Sequence, residues 1–168
     1  MASGLLLLRI VLGLTLAGHG AQKLFGVWGG GGPKGTAAGF ESMGFRAPGA
    51  MALLAGLGEF GGGLGVAAGL LTPFAGLALA TVMGVAIFSV HWKNGFWAGN
   101  GGYEYNLLIA ASAVALAAVG PGRFSLDHAF GWDNLCGAKW GAGAAIAAFV
   151  ISWLVLALGR KRPEAAAA

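Results

Sequence analysis

Between Gly4 and Ala21 a single charge, Arg9, interrupts the apolar run, and four further stretches of this chain are built the same way. A spanning helix needs about 20 mostly apolar residues, because hydrocarbon offers backbone N–H and C=O groups no partner outside the helix. The pattern therefore predicts an all-α polytopic membrane protein with spans at about 4–21, 48–71, 73–90, 105–119 and 140–158. Glu59 is the only charge in the second stretch. Thr72-Pro73 is a tight connector, since proline fits the first turn of a helix. Gly120-Pro121-Gly122 and the run Gly159-Arg160-Lys161-Arg162-Pro163 are stops. The first stretch lacks a basic leader and carries Arg9 inside it, so a retained helix is expected rather than a cleaved signal.

Composition excludes the soluble alternatives. Charged residues make up 10% of the 168, against 57% hydrophobic, where a globular chain carries about 25% charged. One Cys leaves no internal disulfide, Cys-rich zinc site or thiolate-held iron–sulfur cluster within the chain. The formal charge of +4 comes from scattered Lys and Arg. That distribution fits membrane orientation and no nucleic-acid partner. Lys23, Lys34, Arg46, Lys93, Arg160, Lys161 and Arg162 fall on one side of a five-span topology, and Arg9, Arg123 and Lys139 on the other. The first set is expected to face the cytoplasm, which puts the C-terminus there in an inner (plasma) membrane.

Two nucleotide-like motifs fail on context. Gly56-Leu57-Gly58-Glu59-Phe60-Gly61 matches G-x-G-x-x-G but lies within a span, without the strand that motif requires. In Gly29–Thr36 the lysine precedes the last glycine, the reverse of a phosphate loop. Small residues four apart, as at Gly61, Gly65 and Gly69, predict a helix-packing face.

Ionisable residues inside spans are costly and become functional candidates by default. Arg9 and Glu59 are expected to pair if the first two spans are antiparallel neighbours. One membrane face gathers His19, Gln22 and Lys23 with His91, Lys93 and Asn94, and then Tyr103, Glu104 and Asn106. Two imidazoles there admit a hydrogen bond to a quinone carbonyl with Glu104 managing the proton, or haem b ligation on two residues only. The third option is interfacial anchoring beside Trp92, Phe96 and Trp97. No metal site is expected. Arg123–Asp127 reads as a short interfacial turn, and Pro33–Arg46 as a short amphipathic piece.

The sequence resembles the DoxX family of small bacterial membrane proteins. The resemblance rests on Arg9-x-x-x-Gly13, His19-Gly20-x-x-Lys23-Leu24-Phe25-Gly26 and Phe40-x-x-Met43-Gly44. It continues through Gly56-x-x-Glu59-x-x-Gly62-Gly63, Leu71-Thr72-Pro73 and His91-Trp92-x-Asn94-Gly95-Phe96, then Gly102-x-Glu104-Tyr105-Asn106 and Gly120–Asp127. It covers about residues 5–128. What it implies is a four-helix transmembrane bundle over 1–128. The chain departs from the family's pattern in residues 129–168, where the apolar stretch at about 140–158 adds a fifth transmembrane helix and a basic tail follows. It also implies a link to redox metabolism, since relatives resemble subunits of thiosulfate:quinone oxidoreductase or of complexes that defend against oxidative and thiol stress. The match puts Arg9, His19, Lys23, Glu59, His91, Asn94 and Glu104 in the family's polar set.

The leading expectation is therefore an integral membrane subunit of a redox complex, with Glu59, His91 and Glu104 as catalytic candidates. Arg9, His19, Lys23 and Asn94 would bind a quinone-like or small sulfur-containing substrate. The rivals are a non-catalytic anchor or assembly subunit for partner proteins, a homo-oligomer among them, and a small-solute carrier working through Glu59.

Overall fold

The computed structural model describes residues 2–161, so Arg162 and Pro163 of the expected stop lie outside the described residues. Helix α1 (Ala2–Phe25) is followed by the short α2 (Gly32–Ser42), α3 (Pro48–Ala68) and α4 (Thr72–Ala86). A π turn, Ile87–His91, and a 3-10 turn, Trp92–Asn94, prolong α4. Then come α5 (Glu104–Val119), the single turn α6 (Leu126–Ala129) and α7 (Ala138–Gly159). Helix α1, α3, the α4 segment through Asn94, and α7 are long and apolar enough to cross a membrane. The chain is thus an all-α, multi-pass membrane protein. The stretch expected to be the fourth span forms α5, whose 16 residues reach roughly 24 Å, short of a hydrocarbon core about 30 Å thick.

The expected span at 48–71 stops earlier than its hydropathy, at Ala68. Gly69 takes the left-handed conformation (φ +64°), and its N–H returns to Gly65 O and Val66 O. Only a residue without Cβ adopts that cap freely. Leu71 follows with φ +47°, a costly conformation for a branched side chain, and Pro73 sits in the first turn of α4 as expected. Helix α1, conversely, outruns its expected end by four residues and carries Gln22 and Lys23 on the helix.

Close backbone approach sets the register of α1 against α3. A Cβ on Gly13 would lie 2.5 Å from Gly63 O, and one on Gly20 would lie 2.3 Å from Phe60 N. In lipid, where tails are as apolar as leucine, such contact between small residues holds helices together. The expected stripe Gly61, Gly65 and Gly69 is not that face. Gly61 has open space, Gly65 meets Ala75, and Gly69 meets Arg9 and Ser125. The three fail to form one face because the helix ends at Ala68, which turns Gly69 into a cap. Gly76 meets Ala113 of α5, Gly84 meets Ser152 of α7, and Gly141 meets Ala118 of α5. Between the helices Leu16, Val66, Leu79, Met83, Ala113 and Leu116 form the core.

The bundle has two distinct ends. At one, the start of α1, the α3–α4 connector and the segment after α5 come together, with Asp127 N donating to Gly69 O at 2.8 Å. At the other, the end of α7 clasps the α2–α3 connection through Arg46 N to Gly159 O and Lys161 N to Gly44 O, both 2.8 Å. Arg160 lies over the Phe45 ring, 5.5 Å from its centroid, and donates to Ser89 O of the π turn at 3.2 Å.

Candidate functional site

Arg9 and Glu59 do not pair. The interlock of Gly13 with Gly63 and of Gly20 with Phe60 puts them roughly 15 Å apart along the helix axes at 1.5 Å per residue. Arg9 is fully buried at the connector end, where its guanidinium donates to Pro121 O at 2.9 Å and to Phe124 O. Nearby Asp127 is also fully buried. It accepts from Leu71 N at 2.7 Å, Thr72 N at 2.9 Å and Thr72 Oγ1 at 2.6 Å. The carboxylate thus caps α4 at its positive end and braces the strained Leu71. The turn at 123–127 is present as expected, but Asp127 faces inward as a structural anchor.

Glu59 instead pairs with Lys23. The longer α1 makes this pairing available, since Lys23 lies on its last turn, level with the part of α3 near Gly56. Glu59 is 4% exposed in an otherwise apolar helix, so the ion pair meets the requirement that a buried charge has a partner. Among the described residues the Lys23 ammonium donates to Glu59 alone, which leaves two of its three N–H donors for something else.

The pair opens into a cavity of about 720 Å³. Helix α1 contributes Thr15, Leu16, His19 and Lys23, and α3 contributes Glu59. Val82, Met83, Ser89 and His91 come from α4 and its π turn, Asn106 and Ile109 from α5, and Phe40 and Met43 roof it from the α2 segment. The walls are mostly apolar, and the polar groups converge from α1, α3, the π turn that prolongs α4, and α5. Both imidazoles line this one space. The roof is the short amphipathic piece expected at Pro33–Arg46, with Phe40 and Met43 over the cavity. Thr15 and Thr36 are not singled out by the sequence, because nothing in a helical period says which neighbour a short helix will cover.

His91 is set by its backbone. The π turn Ile87–His91 inserts a wider turn, a device found often at functional positions, and Ser89 Oγ donates to Val85 O at 2.6 Å within it. His91 Nδ1 lies 2.7 Å from Gly101 O. A carbonyl only accepts, so Nδ1 carries the hydrogen and Nε2 is the nitrogen left for a ligand. Asn94 and Glu104 are absent from the cavity lining. Asn94 Nδ2 donates to the same Gly101 O at 3.1 Å, and Glu104 accepts from Ala98 N at 2.9 Å. Both shape the loop that holds His91. Trp92 stacks on Tyr103 with ring centroids 5.2 Å apart, which fixes the base of that loop.

Of the seven sequence candidates, then, His19, Lys23, Glu59 and His91 meet; Asn94 and Glu104 stand behind His91; Arg9 belongs to the other end. At that end Cys136 sits in a smaller hollow of about 390 Å³ with Arg123, His128 and Asp133. Burial, with Asp127 and Asp133 nearby, pushes its thiol up to about 11. Among the described residues no three His, Cys, Asp or Glu side chains group as a metal site would require.

No curated protein matches the chain. No solved structure matches it either. The DoxX family model matches residues 4–92, which run from α1 through the π turn and take in Arg9, His19, Lys23, Glu59 and His91, while α5 and α7 lie beyond it. By that match over more than half of its length, the chain belongs to the DoxX family.

Proposed function

We propose that this protein is an integral membrane subunit of a redox complex, and that the cavity between α1, α3, α4 and α5 binds a quinone-like or small sulfur-containing substrate. The observation that carries this reading is the Lys23–Glu59 pair opening, together with His19 and His91, into one mostly apolar cavity. A bound quinone supplies reversible electron and proton transfer. The residues fit such a group because its carbonyls need donors, of which Lys23 retains two N–H groups. His91, whose Nδ1–H is donated to Gly101 O, presents Nε2 as an acceptor for a ligand hydroxyl rather than the donor to a carbonyl that the sequence leads one to expect. Glu59 balances the lysine charge in a medium where a lone ammonium is expensive. Gly101, held by Asn94, fixes the His91 tautomer, and the loop capped by Glu104 keeps that carbonyl in place. Glu104 therefore acts through His91 and not on the substrate.

The end that carries the cavity also carries Lys23, Lys34, Arg46, Lys93, Arg160 and Lys161, which supports a cytoplasmic C-terminus in the plasma membrane. The electrons need a partner subunit, since this chain has one cysteine.

The test is extraction. Protein purified in mild detergent is extracted with organic solvent, and quinone is quantified per mole by its absorbance change on borohydride reduction. Wild type is expected to retain quinone and Glu59→Gln and His91→Ala to lose most of it, with Lys93→Ala, outside the cavity lining, unchanged. Equal retention in all four proteins overturns the reading.

A further inference from the structure

We infer that the ligand of this site is an amphiphile, with its polar head at Lys23, His19 and His91 and a long apolar tail lying in a second groove between α3, α4 and α7. This rests on the proposed site and narrows it to a tailed quinone-like molecule, excluding a small water-soluble sulfur compound.

The groove has a volume of about 440 Å³. Its walls are aliphatic and aromatic, with Thr81 contributing the only hydroxyl. Helix α3 gives it Ala55 and Gly58, α4 gives Leu77 and Ala78, and α7 gives Ile151 and Val155. Along α4 it runs from Phe74 to Val85, roughly 16 Å at 1.5 Å per residue, the proportions of a chain and not of a ring. The Thr81 hydroxyl is buried without a partner among the described residues, and no charged or imidazole side chain lines the groove to hold a polar head.

Its relation to the polar cavity identifies the occupant. Phe40, Val82 and Val85 line both spaces, so the two adjoin, and we place the tail of a molecule headed in the polar cavity past these residues in the groove. Gly58 permits this neighbourhood, because a Cβ there would already lie 2.9 Å from Val82 Cγ2. The groove is open at its rim, where Leu54 is 60% and Phe74 49% exposed. A lipid-soluble ligand can therefore enter sideways from the bilayer, tail and head together. A small hydrophilic substrate would use only the first space and would leave the second without a purpose connected to the site.

Helix α7 gains a role from this geometry. It lies beyond the family match at residues 4–92, yet Ile151 and Val155 close the far wall of the groove. Ser152, between them, donates to Thr81 O at 3.0 Å and sits against Gly84, which fixes that wall on α4.

The experiment uses the full chain in lipid nanodiscs and two probes with the same benzoquinone ring, one with a decyl tail and one without. Binding is read as quenching of tryptophan fluorescence, and empty nanodiscs correct for partition into lipid. Two groove-filling variants, Ala55→Phe and Val155→Phe, keep the result independent of any one substitution and add no tryptophan to the signal, and an unchanged unfolding midpoint confirms that each folds. Both variants are expected to weaken the decyl probe at least tenfold while the tail-less probe keeps wild-type affinity. Glu59→Gln is expected to weaken both probes. If the groove variants leave the decyl probe unchanged, ordinary lipid fills the groove and the tail assignment is overturned, although the head site stands. If neither probe binds wild type, or Glu59→Gln affects neither, the head site itself fails and the tail assignment falls with it.

Discussion

Replacing Asp127 with alanine should destabilise the fold more than any other single change at a carboxylate in this chain. The side chain is fully buried and accepts three hydrogen bonds, two of them from the first N–H groups of α4. Truncation strands Thr72 N and Thr72 Oγ1 in the interior, deprives the part-buried Leu71 N of its acceptor, and removes the anion near the buried Arg9. In water-soluble proteins each stranded group costs about 1–3 kcal/mol. Hydrogen bonds in membrane proteins average nearer 0.6 kcal/mol because the unfolded chain in lipid also finds partners. Counting three groups between those limits, and a partly compensated Arg9, gives a loss of roughly 2–5 kcal/mol. Asp127→Asn keeps one acceptor oxygen and should lose about half as much. The assay is reversible unfolding in mixed dodecyl maltoside and SDS micelles followed by far-UV circular dichroism. A cycle with Thr72→Val isolates the shared bond, and a coupling of about 1 kcal/mol is expected. Should Asp127→Ala unfold within about 0.5 kcal/mol of wild type, the carboxylate does not hold the connector, and Leu71 keeps its left-handed conformation for another reason.

Two further outcomes follow from geometry elsewhere. Gly63→Leu drives a side chain into Ala17 N and Gly13 O, 2.4 and 2.5 Å from the new Cβ, whereas at Gly61 a new Cβ meets nothing within 4 Å. The first should cost at least about 3 kcal/mol by overpacking against backbone and the second little, measured by the same unfolding assay. Cys136, raised from an ordinary 9.0 to about 11, should react with iodoacetamide about 100-fold more slowly at pH 8 than a free cysteine, because only thiolate is the nucleophile. Its rate should keep climbing tenfold per pH unit up to about 11 instead of levelling at 9, as read by mass spectrometry of timed samples. The sign for stability is the same. The folded thiol holds its proton more tightly than the unfolded one, so this contribution is complete below about pH 9 and is lost between pH 9 and 11.

The helices and the cavity residues differ in how far the sequence reveals them. Hydropathy reads a span from composition alone, so α1, α3, α4 and α7 were visible, and so was the sharing of one membrane face by His19, Lys23 and His91. Pairing depends on register, and register depends on which small residues touch. The chain has 33 glycines, and their spacing does not say that Gly13 meets Gly63 while Gly61 meets nothing. Taking α1 to end near Ala21 left Lys23 in a loop and Arg9 as the natural partner of Glu59. Four more helical residues reverse that assignment. Asp127 was hidden for a related reason: a turn rich in Gly, Pro and Ser looks like surface until the N-terminus of another helix is brought to it.

The two polar clusters of this bundle answer the same physical demand in opposite ways, and the contrast supports the functional reading. Arg9 and Asp127 sit among fixed backbone groups, with Pro121 O and Phe124 O on the guanidinium and three donors on the carboxylate. Both side chains are fully buried; the carboxylate accepts three hydrogen bonds from the connector, and Arg9 donates two while its buried Nε has no partner among the described residues. Lys23 and Glu59 have chiefly each other among the described residues, and the lysine side chain is 30% exposed to the cavity end. His91 is fixed through one nitrogen and not the other. The open Arg9 donor is sealed inside the protein, whereas the open groups of Lys23 and His91 line a cavity. There a ligand that accepts from the lysine and donates to the imidazole would offset the cost of leaving them open in an apolar wall. The apolar groove beside that cavity, bordered by Phe40 and walled by α7, suits the tail we propose for the same ligand.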